Sequence, residues 1–325
     1  MNFEEQYLAL KGRIDRYLLE AVTESRPRSL YQPLKYVLAG GGKRIRPVLV
    51  LLACEAVGGK IDDAVHAGAG IEILHNFTLV HDDIMDHADA RRGRATVHTK
   101  WDENTAILVG DELLALAYRI LLRTRSHRIQ EITSVFTEGV VEVCEGQAYD
   151  KEFETRVNIS VDDYLLMIRK KTGKMVAVAT EMGSLIGNAT ERDREALKLY
   201  GESVGRAFQI QDDLLDVIAD EKKFGKKLGG DLREGKKTFL LLEALRSAKG
   251  RDKELLKSLI RNKGVSGKRL REFRRIYEET GALSRAKDAV HADIRKAKEE
   301  LDRLSPSSAR EMLFWFTDML LNRTY

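Results

Sequence analysis

The chain has 325 residues, 43% of them hydrophobic and 33% charged, which supplies apolar material for a large core and too little compositional bias for disorder. A net charge of +4 is small for this length and excludes neither an anionic ligand nor the lack of one. The two cysteines, Cys54 and Cys144, have no CxxC spacing, which excludes a disulfide framework and a thiolate metal site and leaves two core thiols in a reducing, cytoplasmic setting.

In chain order, residues 1–20 mix acids with apolar residues, as an amphipathic helix does, and lack the basic-then-apolar layout of an export signal. A turn at Gly40-Gly41-Gly42 precedes Lys43-Arg44-Ile45-Arg46-Pro47, where proline suits a helix start. The apolar run from Pro47 is interrupted by Glu55 and falls short of the roughly 20 residues that span a bilayer, so no membrane span is expected. Ile71, Leu74, Phe77, Val80 and Ile84 recur at helical spacing. All four prolines (Pro27, Pro33, Pro47, Pro306) lie near the ends, leaving 48–305 free of the strongest helix breaker. Glycine turns at Gly58-Gly59, Gly93, Gly229-Gly230, Gly250, Gly264 and Gly281 divide the rest. The expectation is an all-α protein, a single large bundle of about ten or more helices around a central cavity. With no linker or lasting shift in composition, residues 1–325 read as one domain. The basic run Lys263–Arg275 alternates with leucines and has a single aromatic, Phe273, so it reads as a solvated helix face and no nucleic-acid partner is expected.

Two segments spell DDxxD: Asp82-Asp83-Ile84-Met85-Asp86 and Asp212-Asp213-Leu214-Leu215-Asp216. On a helix, residues four apart share a face, so Asp82 with Asp86, and Asp212 with Asp216, each present two carboxylates side by side. Like charges so placed destabilise a helix unless a cation offsets them, and oxygen-only sites suit a hard cation such as Mg2+. Apolar flanks put both clusters on helices lining the bundle interior. Asp162-Asp163 lacks a third acid and reads as ordinary helix surface.

Cations sit near both clusters. Lys43 and Arg46 follow the glycine turn, Arg91-Arg92-Gly93 follows the first acids, and Lys226 and Lys236 follow the second, an arrangement fit for gripping diphosphate. His75, among Ile73, Leu74 and Phe77, taken alone reads as a core histidine.

The ordered stretches Gly41–Pro47, His75–Gly93, Gly146–Asp150, Lys170–Met175, Phe208–Asp216 and Gly225–Thr238 make the chain closely resemble the trans-isoprenyl diphosphate synthases (polyprenyl synthetases), most of all the archaeal-type geranylgeranyl diphosphate synthases. The resemblance implies that Asp82, Asp83, Asp86, Asp212, Asp213 and Asp216 coordinate magnesium, with Asp150 as an added carboxylate. It implies that Lys43, Arg46, His75 and Arg92 hold isopentenyl diphosphate. Arg91, Lys171, Lys226 and Lys236 would contact the allylic diphosphate (dimethylallyl, geranyl or farnesyl), and Thr172 and Gln209 would line the place where the carbocation forms.

Product length in that family follows the residues below the first cluster, here Phe77 and Thr78. One aromatic beside a small residue resembles geranylgeranyl makers, with a farnesyl or mixed product as the alternative. Two aspartate motifs and an intact GGKRIRP distinguish the chain from a terpene cyclase or a non-catalytic partner subunit. Family precedent also implies a homodimer.

Overall fold

The structure, a computed structural model, describes residues 2–218, 229–262, 264–265 and 269–321. Helices α1 (Phe3–Glu20), α2 (Arg28–Leu38), α3 (Ile45–Ala56) and α4 (Ile61–Met85) come first. A short antiparallel hairpin follows, β1 (Ala90–Arg91) and β2 (Arg94–Ala95), then α5 (Val97–Lys100), α6 (Glu103–Leu121), α7 (Ile129–Thr155) and α8 (Val161–Ile168). A five-residue π-helix, Arg169–Gly173, runs into α9 (Lys174–Ile186), and α10 (Glu191–Ile218) carries the second acidic motif. The remaining helices are α11 (Gly230–Glu234), α12 (Phe239–Ser247), α13 (Gly250–Arg261), α14 (Leu270–Glu279), α15 (Ala282–Leu301) and α16 (Ser308–Leu321).

The protein is all-α, as the proline placement predicts. Among the described residues the hairpin is the one departure, and the sequence does not announce it, because two-residue strands are too short to show alternation. Its turn residues Arg92 and Gly93 both have positive φ, 52° and 73°, the conformation of the tight hairpin turns that match strand twist.

The chain divides into two compact units, each assembled from separated segments. The first comprises Met1–Val140, Val178–Leu197 and Leu304–Leu313. Its centre is α4, apolar on nearly every side, with Ala64, Ala67, Ala69, Ile71, Ile73 and Leu74 fully buried. A helix without a polar face must be surrounded, and α1, α3 and α6 pack on it. Each buried Leu or Ile there contributes about 1.5–3 kcal/mol. α6 starts at Asp102, whose carboxylate accepts from the Thr105 amide at 2.8 Å.

The second unit comprises Val141–Ala177, Lys198–Arg303 and Phe314–Tyr325. Its core includes Phe153, Tyr164, Leu214, Phe239, Leu240 and Phe273, with α12 packed by α8, α13, α14 and α15. Phe273 of the basic run, with Ile276 and Tyr277 just beyond it on α14, faces this core, while Arg269 pairs with Glu272, Arg274 with Glu278 and Arg275 with Asp252. Arg269, Arg274 and Arg275 are therefore met by carboxylates of α14 and of neighbouring α13. Asp163 completes a capping box with Ser160 at the start of α8, which gives the Asp162-Asp163 pair a structural role. Cys54 is buried as expected, but Cys144 is exposed on α7, because its position falls on the side of the helix that also exposes Val141, Glu145 and Ala148.

Candidate active site

In the first unit the acidic motif occupies the last turn of α4, with Asp86 as its C-cap. Carboxylates are disfavoured there, since the helix dipole already places negative charge at that end. The three are not equivalent. Asp86 is exposed, Asp82 half-buried, and Asp83 buried with its Oδ1 accepting from Arg91 Nε at 2.8 Å. Burial raises the Asp83 pKa and the Arg91 charge opposes it.

The Gly41-Gly42 turn folds back over this region. Its glycines adopt φ of 68° and 142°, and a Cβ on Gly42 would come within 2.8 Å of the Arg92 guanidinium, which itself donates to the Gly41 carbonyl. Arg44, at the left-handed N-cap of α3, is buried, donating to Asp15 at 2.7 Å and to buried Glu72 at 2.7 Å. It is a structural cation, whereas Lys43 stays exposed and its carbonyl accepts from the Tyr7 hydroxyl.

Arg46 lies one turn along with a buried Nε that has no hydrogen-bond partner. Burial lowers its pKa, with Glu72 opposing and Arg92 adding to the shift. His75 is held well below the usual imidazole range, first by burial and then by the charges of Arg46, Arg92, Arg91 and Arg44, and so stays neutral. Arg46, Arg92 and His75 thus lie close together with Glu72 as their nearby carboxylate, and the surplus of positive charge suits an anion.

Below the aspartates, Phe77 is 9% exposed and meets the His81 ring edge-on, centroids 4.8 Å apart. Thr78 is half-buried, its hydroxyl donating to the His75 carbonyl at 2.8 Å. His81 in turn lies against α6, where a Cβ on Gly110 would stand 2.1 Å from its Nε2. His81 and Gly110 were not found from sequence, although a lone glycine inside a helical pattern is itself a sign of close approach.

In the second unit, Lys171 donates to Asp150 at 2.5 Å and Thr172 Oγ1 donates to Gln209 Oε1 at 3.0 Å. Both come from the π-helix, whose wider turn is common at functional sites. The Gln209 amide donates to Asp213 Oδ1 at 3.3 Å, while Asp213 Oδ2 accepts from the Tyr164 hydroxyl at 2.5 Å and from the Phe239 amide at 3.2 Å. Burial raises the Asp213 pKa, and these three donors oppose the shift.

Asp212 is half-exposed, and Asp216 accepts from the Gly230 and Asp231 amides, both at 3.1 Å. Lys236 pairs with Glu234 at 2.8 Å. Lys226 lies outside the described residues. Asp231 and Tyr164 of this unit, and Glu72 of the first, escaped the sequence reading. Burial, with the charges of Asp213 and Asp216, raises the Asp231 pKa.

The donors near both motifs are carboxylate oxygens, as magnesium prefers. Among the described residues no three metal-ligating side chains gather closely enough to hold an ion alone.

Residues 27–279 match the model of the polyprenyl synthetase family. A short chain isoprenyl diphosphate synthase of Methanothermobacter thermautotrophicus is 40% identical, covering 96% of this chain and 95% of its own. A geranylgeranyl diphosphate synthase of Methanosarcina mazei is 38% identical over 100% of this chain and 99% of its own. Among solved structures, geranylgeranyl pyrophosphate synthetase from Pyrococcus horikoshii superposes with a TM-score of 0.92 at 36% identity, covering 99% of this chain and 100% of its own. With two aspartate motifs and this likeness along its whole length, the chain belongs to the polyprenyl synthetase family.

Proposed function

We propose that the chain is a prenyltransferase that joins isopentenyl diphosphate head-to-tail (1'-4) to an allylic diphosphate, with geranylgeranyl diphosphate as its main product. The observation that carries this reading is the juxtaposition in the first unit of opposite charge characters. A helix end bearing Asp82, Asp83 and Asp86 suits a metal-bearing diphosphate, and the cluster of Arg46, Arg92 and neutral His75 suits a metal-free one. Two kinds of anionic substrate are thereby distinguished by charge alone.

The first motif in one unit, and Asp212, Asp213 and Asp216 with Asp150 in the other, are the residues that would hold magnesium. Held by those carboxylates, magnesium would supply positive charge to offset that of the departing diphosphate. Arg91, Lys171, Lys226 and Lys236 hold the remaining allylic phosphate oxygens. As the C1–oxygen bond breaks, Thr172 faces the positive carbon; its proton is committed to Gln209, so its oxygen lone pairs are free to stabilise the charge. Isopentenyl diphosphate then forms the new bond through C4 and loses a C2 proton to the released diphosphate. No protein base is assigned. The Phe77 ring, braced by His81, ends the space for the growing chain, and small Thr78 leaves room that a second aromatic would fill.

We further propose that residues 1–325 act as one catalytic domain, since each compact unit is discontinuous in sequence, and that the protein is a homodimer. Ile107 and Leu108 of α6 are 41% and 60% exposed and offer apolar surface to a second copy. Two cysteines without CxxC spacing support a reducing, cytoplasmic location.

The test is incubation with magnesium, labelled isopentenyl diphosphate and each of dimethylallyl, geranyl and farnesyl diphosphate, with products resolved by length. All-trans geranylgeranyl diphosphate is expected, and Phe77→Ala is expected to lengthen the main product by at least one isoprene unit. A farnesyl product would overturn the length assignment alone. No elongation from any primer would overturn the function.

A further inference from the structure

The hairpin that carries Arg91 and Arg92 cannot hold itself. Its strands pair only through Ala90 with Ala95 and Arg91 with Arg94, and even a longer isolated ribbon is marginal in water. Arg92 also occupies a left-handed conformation that a side chain rarely adopts unless its surroundings impose it. At the base, Thr96 closes the loop by donating from its hydroxyl to the Ala88 carbonyl at 2.7 Å and from its amide to the Asp89 carbonyl at 3.1 Å.

The outer strand is held by one side chain of α2. The Tyr36 hydroxyl donates to the Ala95 carbonyl at 2.8 Å. The Arg94 guanidinium carbon lies 3.8 Å from the Tyr36 ring centroid, Lys100 Nζ lies 4.1 Å from it, and the Trp101 ring meets Tyr36 edge-on at 5.2 Å. Behind the hairpin is a cavity of about 60 Å³ lined by Tyr36, Asn76, Val80, Asp83, Arg91 and Thr96. The space leaves the hairpin room to shift if its anchor is lost.

We propose that Tyr36 is a positioning residue for prenyl transfer. Its ring, stacked with Arg94 and bonded to Ala95, sets where Arg91 and Arg92 stand and so tunes affinity for diphosphate without touching it. This rests on the reading of Arg91 and Arg92 as diphosphate ligands, and predicts that the anchor acts on binding more than on turnover.

The experiment compares full-length wild type, Tyr36→Ala, Tyr36→Phe and Arg94→Gln by amide hydrogen exchange across 88–97 and by steady-state kinetics. In Tyr36→Ala, faster exchange of the hairpin is expected together with a roughly tenfold rise in KM for isopentenyl diphosphate, from the loss of the cation–π contacts with Arg94 and Lys100 and of one hydrogen bond, with kcat little changed. Tyr36→Phe, which keeps the ring, is expected to recover most of both effects. Arg94→Gln leaves the α2 core untouched and is expected to shift both readouts in the same direction as Tyr36→Ala, so the outcome does not depend on the Ala variant folding. Wild-type exchange in both Tyr36→Ala and Arg94→Gln, a fall in kcat at constant KM, or a Phe variant as impaired as the Ala variant would overturn the proposal. If wild type elongates no primer, the reading of function fails, while the exchange data still decide whether Tyr36 anchors the hairpin.

Discussion

At His75, burial and four arginine charges act in one direction, against protonation. The folded pKa lies below the ordinary value of 6.5, so above that value both folded and unfolded chains carry a neutral ring and the group contributes nothing. Below it the unfolded chain takes up a proton that the folded chain refuses, and stability is lost as pH falls. Thermal or urea unfolding from about pH 7 to about pH 5 is therefore expected to weaken wild type more than His75→Gln, by up to about 1 kcal/mol per pH unit. Equal slopes would show that the imidazole does not sense the arginines. The residue types of this site are legible from motif spacing, but the division of labour is not. Of the adjacent Lys43 and Arg44, only the first is left exposed, because Asp15 and Glu72 take the second into the interior.

Among the elements, the π-helix Arg169–Gly173 depends most on its neighbour. A Cβ added to Gly146 of α7 would lie 2.3 Å from the Lys171 amide nitrogen and 2.7 Å from its Cα, and backbone atoms cannot turn aside as a side-chain tip can. Gly146→Ala is expected to cost about 1–3 kcal/mol of stability in urea unfolding, as overpacking does. It is also expected to lower kcat, since Lys171 and Thr172 are displaced together. A variant with wild-type stability and turnover would mean that the two helices are free to separate. Helix identity was readable from the 3.6-residue spacing and the absence of proline over 48–305. The hairpin and the π turn were not, because each is fixed by contacts from another element rather than by a periodicity of its own.

For the whole molecule, the exposed apolar pair on α6 gives the dimer proposal a direct check. Leu108→Glu places a charge where an apolar contact would be buried, and light scattering is expected to report half the wild-type mass. A wild-type protein that is already monomeric, or a variant that stays dimeric, would place association elsewhere. The division into two compact units was not foreseen, because residues 178–197 and 304–313 join a unit otherwise made by 1–140, and nothing local in those segments names their distant partners.

The sequence by itself determined the helical class, the paired acidic motifs, the cationic turn and the family, all of which rest on local spacing or on ordered motifs along one chain. Tertiary structure alone decided which charges meet. Arg44 finds its counter-charges 29 and 28 residues away, and Asp213 finds the Tyr164 hydroxyl and the Phe239 amide 49 and 26 residues away. The physical reason is that spacing within a helix follows from backbone geometry, whereas the burial and pairing of a charge depend on which remote surfaces pack against it.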